Sequence, residues 1–175
     1  MIQLQGLNLG CGSRVFKTCP EIEWTNIDAV GGPGVDVKMD IREVRTITRR
    51  NEVYDIIIAH QCWEHMQCGE QPIKACYELL KPTGCLIVSV PDLEKLALMW
   101  LAGELTTQIY LTNIYGPFNG TEESIHRWGF DADYLVAQMK REAPWYKVDR
   151  FDYRTIPGAE IARDDRWILC VEGVK

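Results

Sequence analysis

The chain has 175 residues, a mass of 20.1 kDa and a formal net charge of −6 at pH 7. Because 46% of the residues are hydrophobic and a chain of this size buries roughly 70% of its unfolded surface, we expect one domain that spans residues 1–175. The acidic charge and the lack of a basic cluster argue against binding to nucleic acid or to an anionic membrane, since both require grouped Lys and Arg side chains.

The first residues, MIQLQGLNLGCG, contain no basic segment of the kind that begins a signal peptide, and no uncharged apolar stretch reaches the roughly 18 residues of a membrane span. We therefore expect a soluble, cytoplasmic protein. The seven cysteines are odd in number and several stand in apolar runs, which favours free thiols over disulfides.

Runs of apolar and β-branched residues predict five short strands in the first half of the chain. They cover residues 3–9, 23–28, 35–39, 54–59 and 85–90. The fourth run, YDIIIA, is continuously apolar after its Asp, which is typical of a strand buried on both faces of a parallel sheet. Two further strands, over residues 145–153 and 166–174, flank a Pro-Gly loop and predict an antiparallel hairpin.

Segments whose apolar residues have the spacing typical of helices lie between these strands. Helices are expected over residues 41–50, from Pro72 to Leu80, from Leu93 to Leu101 behind the N-cap Asp92, and from Asp131 to Met139. Residues 106–129 predict a long irregular segment. The alternation of strands and helices predicts an α/β fold: a three-layer, Rossmann-like, doubly wound sheet, mostly parallel, with an antiparallel C-terminal hairpin. Its ligand crevice is expected at the carboxyl ends of the strands.

A glycine turn and an acidic residue stand where such a fold binds nucleotides. Gly10 and Gly12 follow the first strand, and Asp28 ends the second, placed to accept hydrogen bonds from ribose hydroxyls. The alternative is a structural turn with a surface acid. NAD is disfavoured, because Val15 stands where a dinucleotide fingerprint has its third glycine and only residues 13–19 are available for the helix that receives a pyrophosphate.

Several motifs along nearly the whole chain resemble those of class I S-adenosylmethionine-dependent methyltransferases, in particular small methyltransferase-domain proteins found beside sugar-modifying enzymes. LNLGCGSR is similar to the cofactor loop, WTNIDAV to the segment with the ribose-binding acid, and VDVKMDIREV to the segment whose Asp reaches adenine. YDIIIAHQCWEHM resembles the fourth strand with its exit, and ACYELLKPTGCLIVSVPD the fifth helix-strand unit. The resemblance implies S-adenosylmethionine as the cofactor.

The resemblance also implies a set of cofactor-binding residues. Gly10, Cys11 and Gly12 would line the methionine moiety, while His60 would face the sulfonium. The full set is Asn8, Gly10, Cys11, Gly12, Asp28, Ala29, Asp40, Ile41 and His60, in which Asp28 holds the ribose and Asp40 with Ile41 frames the adenine. Two residues depart from the family pattern: Asn8 stands in place of an Asp, and Arg14 in place of a third loop glycine.

Two histidines are candidates for a catalytic base in methyl transfer. His60 directly follows the fourth strand, and an unperturbed imidazole titrates near 6.5, which suits proton removal at neutral pH. Its alternative role is packing or a backbone contact. His126 is the second candidate, with an exposed loop position as the alternative. Tyr110, Tyr115, Phe118 and Trp128 are candidates for an acceptor pocket.

The run that contains His60, Cys62, His65 and Cys68 supplies ligand types that zinc accepts, but structural zinc ligands come as pairs from two separated knuckles. We therefore predict no metal site there and expect Glu64 and His65 to orient the exit of the fourth strand.

The sequence thus predicts an S-adenosylmethionine-dependent methyltransferase acting on a small molecule, with a sugar or another hydroxyl compound as the preferred acceptor. The departures at Asn8 and Arg14 keep a catalytically silent relative open, one that binds a nucleotide or a partner subunit and holds the cofactor weakly or not at all. An NAD-dependent oxidoreductase is the second alternative. A homodimer is the oligomer to consider.

Overall fold

Seven strands form one mixed sheet in the part of the chain that the computed structural model describes, residues 2–117, 119–150 and 166–175. They are β1 (Leu4–Leu9), β2 (Ile22–Asp28), β3 (Val37–Lys38), β4 (Tyr54–His60), β5 (Leu80–Pro91), β6 (Lys147–Arg150) and β7 (Ile168–Val174). The order across the sheet is β3-β2-β1-β4-β5-β7-β6. Strands β1 to β5 pair in parallel, whereas β7 runs antiparallel to both β5 and β6. The predicted fold class is confirmed.

The central strands are buried on both faces, as the apolar runs predict. Leu7 and Ile57 belong to a large cluster on one face, which the helices α1 (Ile73–Leu79) and α4 (Ala132–Glu142) cover. Ile58, the next residue in β4, belongs to a smaller cluster on the opposite face. Because side chains alternate along a strand, a continuous run of apolar residues supplies both cores at once.

Three sequence predictions are corrected at the level of the elements. The third strand is only two residues long, and the helix expected over residues 41–50 is a 3₁₀ helix over Ile41–Ile47. Residues 106–129, expected to be irregular, begin with a regular helix, α3 (Thr107–Tyr115), and contain a 3₁₀ turn at Glu122–Ser124. Among the described residues, no helix is long and apolar enough to cross a membrane.

The spacing of apolar residues does not predict helix α3, because none of its residues is completely buried. Its first turn is capped by Thr106, whose Oγ1 accepts a hydrogen bond from the Ile109 amide at 3.2 Å. Its side lies against helix α2 (Leu93–Leu101), where Tyr110 stacks on Trp100 with ring centroids 4.9 Å apart. The helix therefore depends on a cap and a tertiary contact rather than on an apolar stripe.

The connection between β1 and β2 contains no helix. A buried hydrogen-bond network takes its place: the side-chain oxygen of Asn26 accepts from the Phe16 amide at 2.8 Å, and its nitrogen donates to the Phe16 carbonyl at 3.1 Å. Phe16 then packs edge-on against Trp24, with centroids 4.8 Å apart. The segment between β1 and β2, where this kind of fold has its first crossover helix, is thus irregular and is held against the sheet by these contacts. The residues 151–153 of the predicted terminal hairpin lie outside the described part of the chain.

Candidate functional site

The glycine turn after β1 is required by the backbone itself. Gly10 has φ +62°, and a Cβ there would lie 2.6 Å from the Cβ of Cys62, at the exit of β4. Gly12 has φ +49° with no heavy atom within 4 Å of a Cβ, so its conformation rather than crowding favours glycine. The two glycines bend the chain sharply between the neighbouring strands β1 and β4, where the strand order reverses.

Asp28 at the end of β2 holds this turn in place. Its Oδ2 accepts a hydrogen bond from the Gly12 amide at 2.8 Å, and its Oδ1 accepts one from the Val30 amide at 2.8 Å. Each carboxylate oxygen has two acceptor positions, so one on each oxygen is left for a ligand hydroxyl. Asp28 is therefore both part of the loop and a potential ligand contact.

A cavity of about 620 Å³ opens at this edge of the sheet. Six residues predicted to bind the cofactor line it: Gly10, Gly12, Asp28, Ala29, Asp40 and Ile41. They come from three separate segments, after β1, after β2 and after β3. Its volume lies in the range typical of small-molecule sites.

Asp40 and Ile41 form the wall beyond Asp28. Asp40 is the N-cap of the 3₁₀ helix and accepts a hydrogen bond from the Arg42 amide at 2.9 Å. The Arg42 guanidinium also bonds its carboxylate and, with the amide bond, holds the pKa of Asp40 below its ordinary value. The Ile41 side chain, only 8% exposed, adds an apolar surface beside this charge. Both carboxylate oxygens of Asp40 are bonded by Arg42, so the wall presents this ion pair next to an apolar contact.

Three other predicted cofactor-binding residues, Asn8, Cys11 and His60, do not line the cavity. The Asn8 amide is buried and donates to the Arg14 carbonyl and to the Asn26 side chain, both at 2.9 Å. It therefore fixes the irregular segment between β1 and β2. The Cys11 thiol is buried as well, and burial with the nearby Asp28 raises its pKa to about 11.

His60 lies at the carboxyl end of β4, on the same face of the sheet as Ile58 and Asn8. Its Nδ1 forms a short hydrogen bond with the hydroxyl of Ser89 in the neighbouring strand. Burial, followed by the charge of Arg14, lowers the pKa of His60 to about 4. The imidazole is therefore neutral at pH 7, and it is a much weaker base than the sequence suggests.

The second base candidate, His126, also lies outside the cavity wall, and its Nδ1 bonds the Asn113 carbonyl at 2.9 Å. Burial, followed by the neighbouring His65, lowers the pKa of His126 to about 4. Of the aromatic candidates for an acceptor pocket, Tyr110, Tyr115 and Trp128 do not line the cavity: Tyr110 stacks on Trp100, Tyr115 is mostly exposed, and Trp128 lies against Tyr134. Phe118 is outside the described residues.

Gln61 was missed by the sequence analysis. It lines the cavity directly after β4, with a left-handed φ of +52° that is uncommon for a residue with a side chain. Its side-chain nitrogen is buried and has no hydrogen-bond partner in the described residues. A strained backbone and an unpartnered donor at a cavity wall indicate a ligand contact. In the sequence, the only indication of such a role for Gln61 is its position directly after a predicted strand.

The zinc arrangement considered from the sequence does not form in the described part of the chain. The Cys62 thiol is buried and donates to the Leu9 carbonyl at 3.4 Å, and Cys68 lies exposed beside the Tyr134 hydroxyl. The expectation for Glu64 is met through its backbone, since its carbonyl accepts hydrogen bonds from the amides of Arg127 and Trp128 at 2.7 and 3.1 Å. The segment around His126 is thereby fixed against the exit of β4.

Solved structures with the same architecture identify the fold. The chain is similar to a SAM-dependent methyltransferase from Archaeoglobus fulgidus, with 16% sequence identity and a TM-score of 0.64 over 99% of this chain and 86% of that one. The fold is that of S-adenosylmethionine-dependent methyltransferases.

Two further structures with this methyltransferase fold contain S-adenosylhomocysteine. The 1,6-didemethyltoxoflavin-N1-methyltransferase of Burkholderia thailandensis has 13% identity and a TM-score of 0.58, over 99% of this chain and 71% of that one. The N-methyltransferase NodS of Bradyrhizobium japonicum has 14% identity and a TM-score of 0.55, over 98% of this chain and 78% of that one. No model of a known protein family and no curated protein sequence matches the chain.

Proposed function

We propose that this protein is an S-adenosylmethionine-dependent methyltransferase that acts on a small-molecule acceptor. One observation carries the proposal: a single cavity collects the glycine turn, Asp28, and the pair Asp40 and Ile41. These are the residues that the sequence resemblance assigns to the methionine, ribose and adenine parts of the cofactor. They follow β1, β2 and β3, which are neighbours in the sheet in that order.

The chemistry of each residue suits the part assigned to it. Asp28 keeps acceptor positions for the two ribose hydroxyls after bonding Gly12 and Val30. We propose that an exocyclic amino group takes the place of one Arg42 bond on the Asp40 carboxylate, and that Ile41 offers apolar surface to a purine ring. When bound, S-adenosylmethionine supplies an electrophilic methyl group, and the protein chiefly supplies alignment.

The acceptor is proposed to be a small molecule with a hydroxyl, such as a sugar. Neither His60 nor His126 lines the cavity, so neither is proposed to take the acceptor proton directly. We propose instead that His60 positions the end of β4 through Ser89, so that Gln61 faces the ligand. A cytoplasmic location and a homodimer remain predictions of the sequence alone.

The NAD-dependent oxidoreductase is not favoured by this geometry. A pyrophosphate binds well where a helix begins, because unpaired amides and the helix dipole meet its charge. In the described residues no helix begins between Gly12 and β2. The two proposals therefore differ in a property that can be measured directly, the preference for an adenosyl ligand over NAD.

Calorimetric titration with S-adenosylmethionine, S-adenosylhomocysteine and NAD tests the proposal. We expect the wild type to bind both adenosyl ligands with micromolar affinity and NAD not at all, and we expect Asp28→Ala to lose this binding. Asp55→Ala is the matched control, because Asp55 is at the opposite end of the sheet, where it pairs with Lys81 at 2.7 Å.

A folded wild type that binds neither adenosyl ligand would contradict the proposal and favour the silent relative. Binding of NAD in their place would favour the oxidoreductase. Thermal unfolding of each variant establishes that a loss of binding is not a loss of fold.

A further inference from the structure

Three side chains from distant parts of the chain converge beside the cavity. Glu64 and His65 lie in the 3₁₀ turn Trp63–His65 that follows β4, and His126 lies after the turn Glu122–Ser124. One oxygen or nitrogen atom of each side chain lies within 4.8 Å of those of the other two. Of the three, His65 lines the cavity.

Both histidines are held with one ring nitrogen bonded to the backbone. His65 Nδ1 lies 3.1 Å from the Ile125 carbonyl, and His126 Nδ1 lies 2.9 Å from the Asn113 carbonyl. A carbonyl only accepts hydrogen bonds, so Nδ1 carries the proton in each ring, and the Nε2 lone pair of the neutral ring is left for another partner. A backbone carbonyl on the second nitrogen is the usual support of a metal-binding histidine.

The orientation of the two rings also suits a shared ligand. Their planes are nearly perpendicular, at 82°, and their centroids are 4.8 Å apart. Two imidazoles at adjacent positions of one ion can take this arrangement, because each ring is free to rotate about its own bond to the ion. Two histidine rings that only packed edge-on against each other would not need hydrogen bonds to the backbone to fix both of them.

Glu64 adds a buried carboxyl group with an unpartnered oxygen to the same place. Its side chain is only 2% exposed, and its Oε2 has no hydrogen-bond partner in the described residues. A buried carboxyl oxygen without a partner is costly, whereas loss of the carboxyl proton and coordination of a cation by the resulting carboxylate remove that cost. Arg14 is close enough to act on Glu64 through its charge, but it does not provide the missing hydrogen bond to Oε2.

We propose that Glu64, His65 and His126 bind one divalent transition-metal ion at the wall of the cavity. Two imidazoles and one carboxylate suit Zn²⁺ or Fe²⁺ better than Mg²⁺ or Ca²⁺, which prefer oxygen ligands alone. Ligand atoms on such an ion are about 3 to 3.5 Å apart. Binding therefore draws the ligand atoms together by up to about 1.5 Å from their present spacing of up to 4.8 Å.

The site also gives the ion a role in methyl transfer, and this part rests on the proposed function. Three protein ligands leave a coordination position for a further ligand, and because His65 lines the cavity, we assign that position to an acceptor hydroxyl bound there. A metal-bound hydroxyl loses its proton to water more readily. The oxygen–methyl bond then forms as the sulfur–methyl bond breaks, and S-adenosylhomocysteine is the leaving group. The ion thus replaces the base that neither His60 nor His126 provides.

Metal titration of chelator-treated protein tests the site without any activity assay. All proteins carry Cys68→Ser, which removes an exposed thiol, a ligand type that zinc accepts. We expect the wild-type site to bind one equivalent of Zn²⁺ by calorimetry and one of Co²⁺ by visible absorption. Glu64→Gln and His126→Gln should each weaken binding by at least about 100-fold, since loss of mere supporting partners already costs 10- to 100-fold.

His60→Gln is the matched control. His60 is the remaining one of the three histidines in the chain, and its Nδ1 bonds Ser89 rather than the cluster. It should bind Zn²⁺ and Co²⁺ as the wild type does. Failure of the wild type to bind either ion, or equal binding by Glu64→Gln and His126→Gln, would overturn the proposal.

A parallel titration with S-adenosylhomocysteine in the absence of metal separates the two proposals. A protein that binds this ligand but no metal retains the proposed function and loses the metal site. A protein that binds metal but not S-adenosylhomocysteine retains the site and loses the methyltransferase proposal.

Discussion

Replacement of His60 by Gln should change how the stability of the protein depends on pH. In the folded protein, burial and the charge of Arg14 lower the pKa of His60 to about 4, from an ordinary value of 6.5. The unfolded chain therefore binds a proton below about pH 6.5, whereas the folded chain stays neutral down to about pH 4. His60 thus stabilises the fold fully above pH 6.5, and this contribution is lost as the pH falls through 4.

The size of the effect follows from the pKa difference. A difference of one pKa unit corresponds to 1.36 kcal/mol, so the lowered pKa of His60 accounts for about 3 kcal/mol of the free energy of unfolding between pH 6.5 and 4. Within that window one proton contributes a slope of about 1.4 kcal/mol per pH unit. The pKa of His126 is lowered to a similar value, so the wild type retains a further contribution of the same sign after His60 is replaced.

Urea unfolding of wild type and His60→Gln at several pH values from 7 to 4.5 measures this directly. As the pH falls, the free energy of unfolding of the variant should decrease less steeply than that of the wild type. The difference in slope should correspond to about one proton. Parallel curves for the two proteins would refute the reasoning. So would an NMR titration that finds the His60 imidazole protonating near pH 6.5 in the folded protein.

Two further substitutions test the loop and a helix cap. Gly10→Ala places a Cβ 2.6 Å from that of Cys62 at a positive φ, and we expect a loss of about 1 to 3 kcal/mol in urea unfolding together with weaker binding of S-adenosylhomocysteine. An unchanged midpoint would contradict this. Asp131→Ala removes the acceptor of the Tyr134 amide at the start of α4, 2.8 Å away, and should cost about 1 kcal/mol. A variant as stable as the wild type would show that the cap does not contribute.

Local patterns were sufficient for the elements that carry their own signal. The run YDIIIA predicted a strand buried on both faces, and the Asp92 cap predicted the start of α2, because both depend on residues adjacent in the chain. Helix α3 has no such apolar stripe, so its stacking on Trp100 had to be seen in the structure. The same difference between local patterns and tertiary contacts applies to the candidate site.

The sequence alone determined the alternation of strands and helices, and it predicted that Gly10, Gly12, Asp28 and Asp40 share one edge of the sheet. That prediction was sound because parallel strands bring their carboxyl ends together whatever the details of packing. The direction of a side chain was not accessible in this way, since His60 and Gln61 are adjacent and only the second lines the cavity. His60 ends β4, whereas Gln61 follows it with a left-handed φ of +52°, and nothing in the sequence announces this change of backbone direction.

The tertiary structure alone decided which side chains meet. His126 lies some sixty positions after Glu64 and His65 in the chain, and no spacing rule connects them. They converge because the Glu64 carbonyl binds the backbone of the segment that contains His126, and because Asn113 orients its ring. Hydrogen bonds between distant segments depend on the complete packing of the chain, so the sequence determined the frame of the site and the folded structure determined its chemistry.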